Sequence, residues 1–336
     1  MERIRAGVIG VGAMGRHHAR LYHELEAVEL VGVADNNEKT AKEIASEYDT
    51  EAFTDCEQLL KSDLDAVSIA VPTSLHKDIA RKAARYGVHM LIEKPIADSL
   101  SSADAILDAA RRENLKLMVG HVERFNPVIT KLKELIATGE LGEILSISCR
   151  RVGPNPIRIR DVGIIIDLAV HDIDAISYLY GKRAMNIYAI GGNSFHIEED
   201  YASILLQYED RKAGFVETNW LTPHKIRKIT VTGTEGGAHA DYLEQTLEIW
   251  KEGSVKEVQI EKREPLRNEL EHFLYAVANG EAPSPSGEEG KYALYVALAA
   301  IKSYKSGKNV LLNSKHTMTY CPFCGKQTNI LELKWC

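Results

Sequence analysis

The sequence has few of the residues and patterns that mark disulfide-linked or membrane proteins. It contains five cysteines in 336 residues, three of them in the last sixteen, so no disulfide framework is indicated. No apolar run is long enough to span a bilayer, and no signal-peptide pattern is present at the start. We therefore expect no membrane partner and a cytoplasmic location.

The chain also lacks an excess of basic residues. Its 41 Lys and Arg residues stand against 48 Asp and Glu residues, for a formal net charge of −7. This balance argues against a nucleic-acid partner, although a local cluster of cations can still bind an anionic ligand. The content of 45% hydrophobic and 26% charged residues is typical of a globular protein, and the length suggests two domains.

Two regions differ in hydrophobic period. Over residues 1–120, short apolar strands alternate with helical stretches, which predicts an α/β domain built on a parallel, doubly wound sheet. Over residues 121–315 the period shifts towards two, which predicts a second α/β domain with a large, mostly antiparallel sheet. One helix over residues 164–180 is expected to interrupt these strands, and two helices to close the domain. Residues 316–336 change in character and are interpreted as an appendage.

The first predicted strand ends in a glycine-rich turn that opens a helix. In such a turn Gly10 permits the tight bend, Gly12 lets the backbone approach a pyrophosphate, and Gly15 allows close helix–strand packing. Asp35 ends the second strand, where a ribose-binding carboxylate belongs, and asparagines rather than an arginine follow it. The pattern predicts NAD in preference to NADP. The predicted contacts here are Gly10, Gly12, Ala13, Met14, Gly15 and Asp35.

A second strand end adds polar residues to the same edge of the sheet. The run Pro72-Thr73-Ser74-Leu75-His76 is expected to face the ribose or nicotinamide of the cofactor. Capping of the next helix explains Thr73 and Ser74 equally well, and His76 is open to interpretation as an ordinary first-turn histidine. The predicted cofactor contacts from this part of the edge are Pro72, Thr73, Ser74, His76, Glu93 and Lys94.

Three residues are candidates for proton transfer. Lys94, in Glu93-Lys94-Pro95, lies at the carboxyl edge of a predicted buried strand, where open α/β sheets bind ligands. Asp167 and His171 are four residues apart in a predicted helix, so both project from one face. A histidine there can exchange a proton with a substrate hydroxyl, while the carboxylate orients it. A helix-dipole carboxylate beside a partly buried histidine explains that pair about equally well.

Together these motifs resemble the Gfo/Idh/MocA oxidoreductases, whose order and approximate spacing they follow over residues 1–315. The resemblance implies a Rossmann domain followed by an α/β domain with a large, mostly antiparallel sheet. It also implies hydride transfer between a sugar-like carbinol and a tightly held nicotinamide cofactor. By position, Lys94 matches the catalytic lysine, and Asp167 and His171 match the substrate-site pair. In similar proteins the Lys94–Pro95 bond is often cis, and the open sheet face mediates homodimers or homotetramers.

Further segments narrow the expected substrate. The residues from His121 to Pro127, together with Arg150-Arg151 and Arg158-Ile159-Arg160, look like the UDP-N-acetylglucosamine 3-dehydrogenase branch of the family. Arginines flanking a proline-stiffened loop suit a sugar-nucleotide diphosphate, although surface charge or intersubunit ion pairs explain them equally well. The predicted substrate contacts are Arg124, Asn126, Arg150, Arg151, Arg158 and Arg160.

The expected reaction is oxidation of the C3 hydroxyl of UDP-N-acetylglucosamine, or a close UDP-sugar, to the 3-keto sugar nucleotide. Lys94 and His171 would accept the proton, and the protein would contribute orientation and proton management. An alternative is a dehydrogenase of a free cyclitol or monosaccharide, similar to inositol 2-dehydrogenase. An alternative of another class is a nonenzymatic regulator that binds NAD.

The last residues contain half of a zinc-ribbon pattern. Cys321-Pro322-Phe323-Cys324-Gly325 resembles a zinc knuckle, in which paired thiolates bind one metal ion. Cys336 and His316 are the remaining candidates for a complete ligand set. Zinc bound by Cys321 and Cys324 is one interpretation, and a disordered or truncated appendage is the other.

Overall fold

The computed structural model describes residues 3–155 and 162–312, together with the backbone of two short paired strands near the C-terminus. The two domains expected from the hydrophobic period are present. The predicted substrate contacts Arg158 and Arg160 and the predicted zinc ligands Cys321 and Cys324 lie outside the described residues. In the described part of the chain, no cluster of His, Cys, Asp and Glu is suited to hold a metal ion.

The first domain is the predicted doubly wound fold. Its sheet has six parallel strands in the order β3-β2-β1-β4-β5-β6. The strands are β1 (Ile4–Ile9), β2 (Val28–Ala34), β3 (Glu51–Phe53), β4 (Ala66–Ile69), β5 (His89–Glu93) and β6 (Leu117–Gly120). The helices are α1 (Gly15–Glu24), α2 (Glu38–Glu47), α3 (Cys56–Leu60), α4 (His76–Arg85) and α5 (Leu100–Arg112). Strand order reverses between β1 and β4, which places a ligand crevice at their carboxyl ends.

The second domain is a nine-stranded sheet in the order β14-β13-β12-β11-β7-β10-β9-β8-β15. Of the strand pairs described in it, β7 with β10 is parallel and the others are antiparallel. The strands are β7 (Ile144–Val152), β8 (Asn186–Gly192), β9 (Tyr201–Gln207), β10 (Ala213–Asn219), β11 (Ile226–Gly233), β12 (Gly237–Asp241), β13 (Thr246–Lys251), β14 (Ser254–Val258) and β15 (Val310–Leu311). Helix α6 (Pro127–Ala137) leads into this sheet.

The predicted inner helix begins with a turn of π-helix, Ile165–Ala169, and continues as α7 (Val170–Tyr180). The left-handed Gly181 ends it, as the sequence indicates. Helix α7 packs on the inner face of the nine-stranded sheet. The outer face exposes several large apolar side chains, among them Tyr188, Ile190 and Phe215. None of the described helices is long and apolar enough to cross a membrane.

The two closing helices, α8 (Pro265–Asn279) and α9 (Gly287–Ser306), join the two domains. The apolar residues of α8, such as Leu270 and Phe273, are buried in one cluster with Val8 and Tyr22 of the first domain. Helix α9 belongs to the other large apolar cluster, which runs from the opposite face of the first sheet into the second domain. One side of the first sheet, which α1 and α2 also cover, is therefore completed by a helix that follows β14 in the chain.

Candidate active site

The glycine-rich turn has the geometry of a phosphate-binding turn. Gly10 has φ +85°, and a Cβ there would lie 2.7 Å from Val71 Cγ1. A Cβ on Gly15 would overlap the carbonyl oxygen of Gly10, so this glycine is required where α1 crosses β1. A Cβ on Gly12 would meet no atom within 4 Å among the residues that the structure describes. The turn therefore leaves open space at the N-terminal end of α1, where backbone N–H groups attract an anion.

Asp35 lies beside this turn. Its carboxylate accepts hydrogen bonds from the backbone N–H of Val11, at 3.0 Å, and of Asn37, at 2.9 Å. These bonds hold the carboxylate at the end of β2, next to the space over Gly12. Ala13 and Met14 are exposed on the same turn. The residues present thus fit a dinucleotide, with the pyrophosphate over Gly12 and a ribose hydroxyl on Asp35.

Replacing Gly12 with valine tests this arrangement. Because a Cβ at Gly12 meets no atom of the described residues within 4 Å, G12V should leave the free energy of unfolding almost unchanged. The added methyl groups would occupy the pyrophosphate position, so we expect NADH affinity, followed by nicotinamide fluorescence, to fall at least about tenfold, or ~1.4 kcal/mol. G15A is the contrasting variant, because it should destabilise the fold itself. Unchanged NADH binding by a folded G12V protein would contradict the arrangement.

The residues that follow β4 are partly exposed and partly buried. Thr73–Leu75 forms a 3-10 turn before α4, and neither helix has a side-chain cap, so the capping interpretation of Thr73 and Ser74 is not supported. Pro72 and Ser74 are exposed at this edge. His76 is only 1% exposed, and its Nδ1 and Nε2 lie 3.1 Å from Pro95 O and 3.0 Å from Val71 O.

His76 therefore corrects the cofactor prediction made for it. Its ring is enclosed between two chain segments and contacts their carbonyl oxygens, so it holds the turn after Lys94 in place and does not face the crevice. Burial lowers the pKa of His76, which keeps the imidazole neutral in this role.

Glu93, the last residue of β5, is likewise buried and is not exposed at the carboxyl edge of the sheet. Its Oε1 lies 3.0 Å from His18 Nε2, and its Oε2 accepts the backbone N–H of Lys94 at 3.2 Å. The other ring nitrogen of His18, Nδ1, lies 2.9 Å from Ser68 Oγ. The same Ser68 oxygen also contacts the hydroxyl of Tyr22. Burial alone would raise the pKa of Glu93, but His18 and then Lys94 outweigh it and lower this pKa. Glu93 therefore supports the backbone at Lys94 rather than contacting the cofactor directly.

Lys94 connects the two domains. Its Nζ donates to the backbone oxygen of Asp167 at 2.6 Å and lies 3.3 Å from Asp167 Oδ1. The Lys94 and Asp167 side chains are 17% and 18% exposed, so they border solvent without extending into it. The Lys94–Pro95 bond is cis, as the resemblance implies. Two of the three residues predicted for proton transfer are thus in contact across the crevice.

His171 follows Asp167 by four residues, at the point where the π-helix passes into α7. It is half-buried, and its Nδ1 has no hydrogen-bond partner among the residues that the structure describes. Burial, and after it the charge of Lys94, holds the pKa of His171 well below its usual range. The imidazole is therefore neutral near pH 7. Single π-turns inside helices occur frequently at functional sites.

The structure gives two of the predicted substrate arginines a different role. Arg151 is 2% exposed and donates to both carboxylate oxygens of Asp172, each at 2.9 Å, and to Glu123 at 2.7 Å. Arg124 is 6% exposed and makes the same bidentate contact with the carboxylate of Asp174, at 2.6 and 2.7 Å. Because these guanidinium groups are already paired with buried carboxylates, they hold the turn at Arg124 and strand β7 against α7 instead of binding a diphosphate.

Asn126 and Arg150 also differ from their predicted role. Asn126 is 2% exposed; its side chain caps α6 and donates to the backbone oxygen of Tyr242 at 3.1 Å. Arg150 is the strand neighbour of Arg151 and therefore points to the opposite face of the sheet. There it is paired with Glu217 at 3.0 Å on the exposed side.

Two residues that the sequence analysis did not predict lie near this centre. His121 follows β6 directly, next to Lys94 at the end of β5, and is only 1% exposed. Arg227, on β11, is paired with Arg151 in the strand register. No motif marks Arg227 in the sequence, since it lies far along the chain from the other site residues. The pairing of β11 with β7 places Arg227 on the same face of the sheet as Arg151.

Comparison with known proteins agrees with this geometry. Residues 4–121 match the model of an oxidoreductase family with an NAD-binding Rossmann fold, and residues 129–239 match the GFO/IDH/MocA C-terminal domain. A UDP-N-acetylglucosamine 3-dehydrogenase from Acidithiobacillus ferrooxidans is 32% identical over 308 residues, which cover 89% of this chain and 96% of the relative. The chain belongs to the Gfo/Idh/MocA oxidoreductase family. Its enzymatic character follows, and the alternative of a nonenzymatic regulator is set aside.

Relatives within the Gfo/Idh/MocA family differ in substrate. A scyllo-inositol 2-dehydrogenase (NAD(+)) from Bacillus subtilis is 30% identical over 339 residues, covering 95% of this chain and 99% of the relative. The crystal structure of the Acidithiobacillus ferrooxidans enzyme superposes with a TM-score of 0.85 at 31% identity, covering 91% of this chain and 99% of that one. The family assignment thus establishes the fold and an oxidoreductase activity, and leaves the substrate to the site itself.

Proposed function

We propose that this protein oxidises the C3 hydroxyl of UDP-N-acetylglucosamine, or of a close UDP-sugar, with NAD as the hydride acceptor. The observation that carries the proposal is the contact between Lys94 Nζ and Asp167 beside a neutral His171, at the strand edge that fits a dinucleotide. Similarity to a UDP-N-acetylglucosamine 3-dehydrogenase over 96% of its length supports the substrate. Asp35, followed by asparagines, supports NAD over NADP.

Each side chain has a defined part in the proposed reaction. A bound nicotinamide supplies the hydride acceptor, and the open space over Gly12 positions its pyrophosphate. Lys94 and His171 are placed to take the hydroxyl proton as the C–H bond at C3 breaks. Asp167 accepts hydrogen bonds from Lys94 Nζ, which a neutral amine also donates, and so keeps this nitrogen at the crevice. The product is the 3-keto sugar nucleotide.

A substrate panel tests this function. NAD reduction at 340 nm would be followed with UDP-N-acetylglucosamine, UDP-glucose, myo-inositol and scyllo-inositol, each also with NADP. We expect kcat/KM for UDP-N-acetylglucosamine to exceed that for either inositol by at least about 100-fold, or ~2.7 kcal/mol, with NAD preferred. NMR of the product would locate the carbonyl at C3.

The runner-up function is oxidation of a free cyclitol. The inositol dehydrogenase among the relatives favours it, as does the finding that Arg124 and Arg151 are engaged in buried ion pairs. Turnover of an inositol without turnover of any UDP-sugar would select this alternative and contradict the proposal.

We also propose that the protein is a homodimer or homotetramer assembled through the outer face of the nine-stranded sheet. Tyr188, Ile190, Leu205 and Phe215 are between 37% and 59% exposed on that face, an apolar surface of the kind that subunit contacts cover. Light scattering in solution measures the stoichiometry, and a monomer at micromolar concentration would contradict this assignment.

A further inference from the structure

Arg227 lies on the same side of the sheet as the candidate catalytic residues. It is directly opposite Arg151 in the antiparallel pairing of β11 with β7, and directly opposite residues share a face. Arg151 points inward, because it binds Asp172 of α7. Arg227 therefore also points inward, whereas the next residue, Lys228, is opposite Arg150 and points outward.

Unlike the other inward arginine, Arg227 is not saturated with partners. Its ion pair with Glu123 is a long one, 3.7 Å from Nη1 to Oε1, and the same oxygen accepts a hydrogen bond from Arg151 at 2.7 Å. No residue in the described part of the chain is recorded at hydrogen-bond distance from the guanidinium. The Arg227 side chain is 34% exposed, against 2% for Arg151. Its donors thus remain available at a solvent-accessible surface.

Arg227 is also electrostatically coupled to the candidate proton-transfer groups. Its charge acts on His171, where it adds to the larger effects of burial, Lys94, Arg151 and His121 in lowering the histidine pKa. Burial lowers the pKa of Arg227, and the negative charge of Asp167 is among the effects that oppose this lowering. A guanidinium with free donors in this position matches the geometry of a phosphate or carboxylate, which it can bind through two parallel hydrogen bonds.

We infer that Arg227 is the specificity-determining residue that binds an anionic group of the substrate, a phosphate attached close to the reacting carbinol. The inference rests on the proposed function and deepens it. In a sugar nucleotide only a few bonds separate C3 from the first phosphorus atom, so a hydroxyl held at Lys94 and His171 brings that phosphate into the vicinity of Arg227. A free cyclitol carries no such charge. Arg227 thus favours a phosphorylated substrate over a neutral one.

Two substitutions and a matched control test the inference. R227M removes the charge-assisted hydrogen bonds, so KM for UDP-N-acetylglucosamine should rise by about 10- to 100-fold. We expect kcat to change less than about threefold, because the proton-transfer groups remain. R227K should recover part of the affinity. K228M, the neighbour on the outward face, should match the parent in KM. NADH affinity and the unfolding midpoint of each variant verify that the fold and the cofactor site are intact.

Binding of UDP itself gives a readout that does not depend on turnover. Calorimetry of the NADH-loaded protein should show UDP binding that R227M weakens at least about tenfold and K228M leaves unchanged. If the parent uses UDP-N-acetylglucosamine while R227M retains the parent KM and UDP affinity, the role of Arg227 is refuted and the proposed function stands. If the parent oxidises an inositol and neither binds UDP nor uses a UDP-sugar, both are refuted.

Discussion

Replacing Lys94 with methionine should lower kcat by about 10²- to 10⁴-fold, the range expected when a positioned acid–base group is lost. Methionine keeps much of the length of the side chain but cannot accept a proton or bind Asp167. NADH affinity should change far less than the rate, because the glycine turn and Asp35 lie on other strands. Stopped-flow absorbance at 340 nm would separate the hydride step from binding and product release.

Two further variants make the Lys94 result specific. K94R keeps a positive charge that can still pair with Asp167, but a guanidinium does not deprotonate in proteins, so we expect it to remain nearly as slow as K94M. K61M, on the exposed end of α3, is the surface control and should match the parent. A K94M protein that retained the parental rate would contradict the catalytic assignment.

Replacing Arg151 with methionine should lower the free energy of unfolding by about 3–5 kcal/mol, as expected when one partner of a buried ion pair is removed. Asp172 and Glu123 are 1% and 8% exposed beside it, and both would lose their principal cationic partner. Urea unfolding, followed by tryptophan fluorescence, measures the effect.

Arg150 provides the matched comparison, because it is the adjacent residue in β7 and carries the same side chain. Its pair with Glu217 is half-exposed on both sides, so R150M should cost less than about 1 kcal/mol. Equal losses for R151M and R150M would show that burial does not distinguish the two arginines.

Much of the fold follows from local sequence signals. Helix and strand periods, together with the glycine turn, predict the parallel sheet of the first domain and the mixed sheet of the second. Strands β3, β12 and β15 and helix α3 were not predicted; β3 has three residues, β15 two, and β12 and α3 five each. Such short elements depend on the sheet edge or strand beside them more than on their own pattern. The π-turn at Asp167 has no period that a sequence reveals.

The site residues that belong to a recognisable sequence motif could be predicted. The contact of Lys94 with Asp167 brings together residues that the sequence could only name as separate candidates. The roles of the arginines could not be predicted, because the sequence does not show whether a carboxylate lies close enough to pair with each guanidinium group. Arg151 and Arg150 differ only in the face of the strand that they occupy, and one is buried while the other is exposed. Arg227 required the strand register.

The position of helix α8 affects how the chain can fold during synthesis. Leu266, Leu270 and Phe273 complete an apolar cluster with Val8 and Tyr22, more than two hundred residues earlier in the sequence. A ribosome therefore exposes the first sheet with one face incompletely covered until nearly the whole protein has emerged. Contacts of such long sequence separation close slowly, because the entropy of a large loop is lost before they form. The nucleotide-binding domain is thus translated first but completed late, so its nascent form has an exposed apolar patch that a chaperone can recognise.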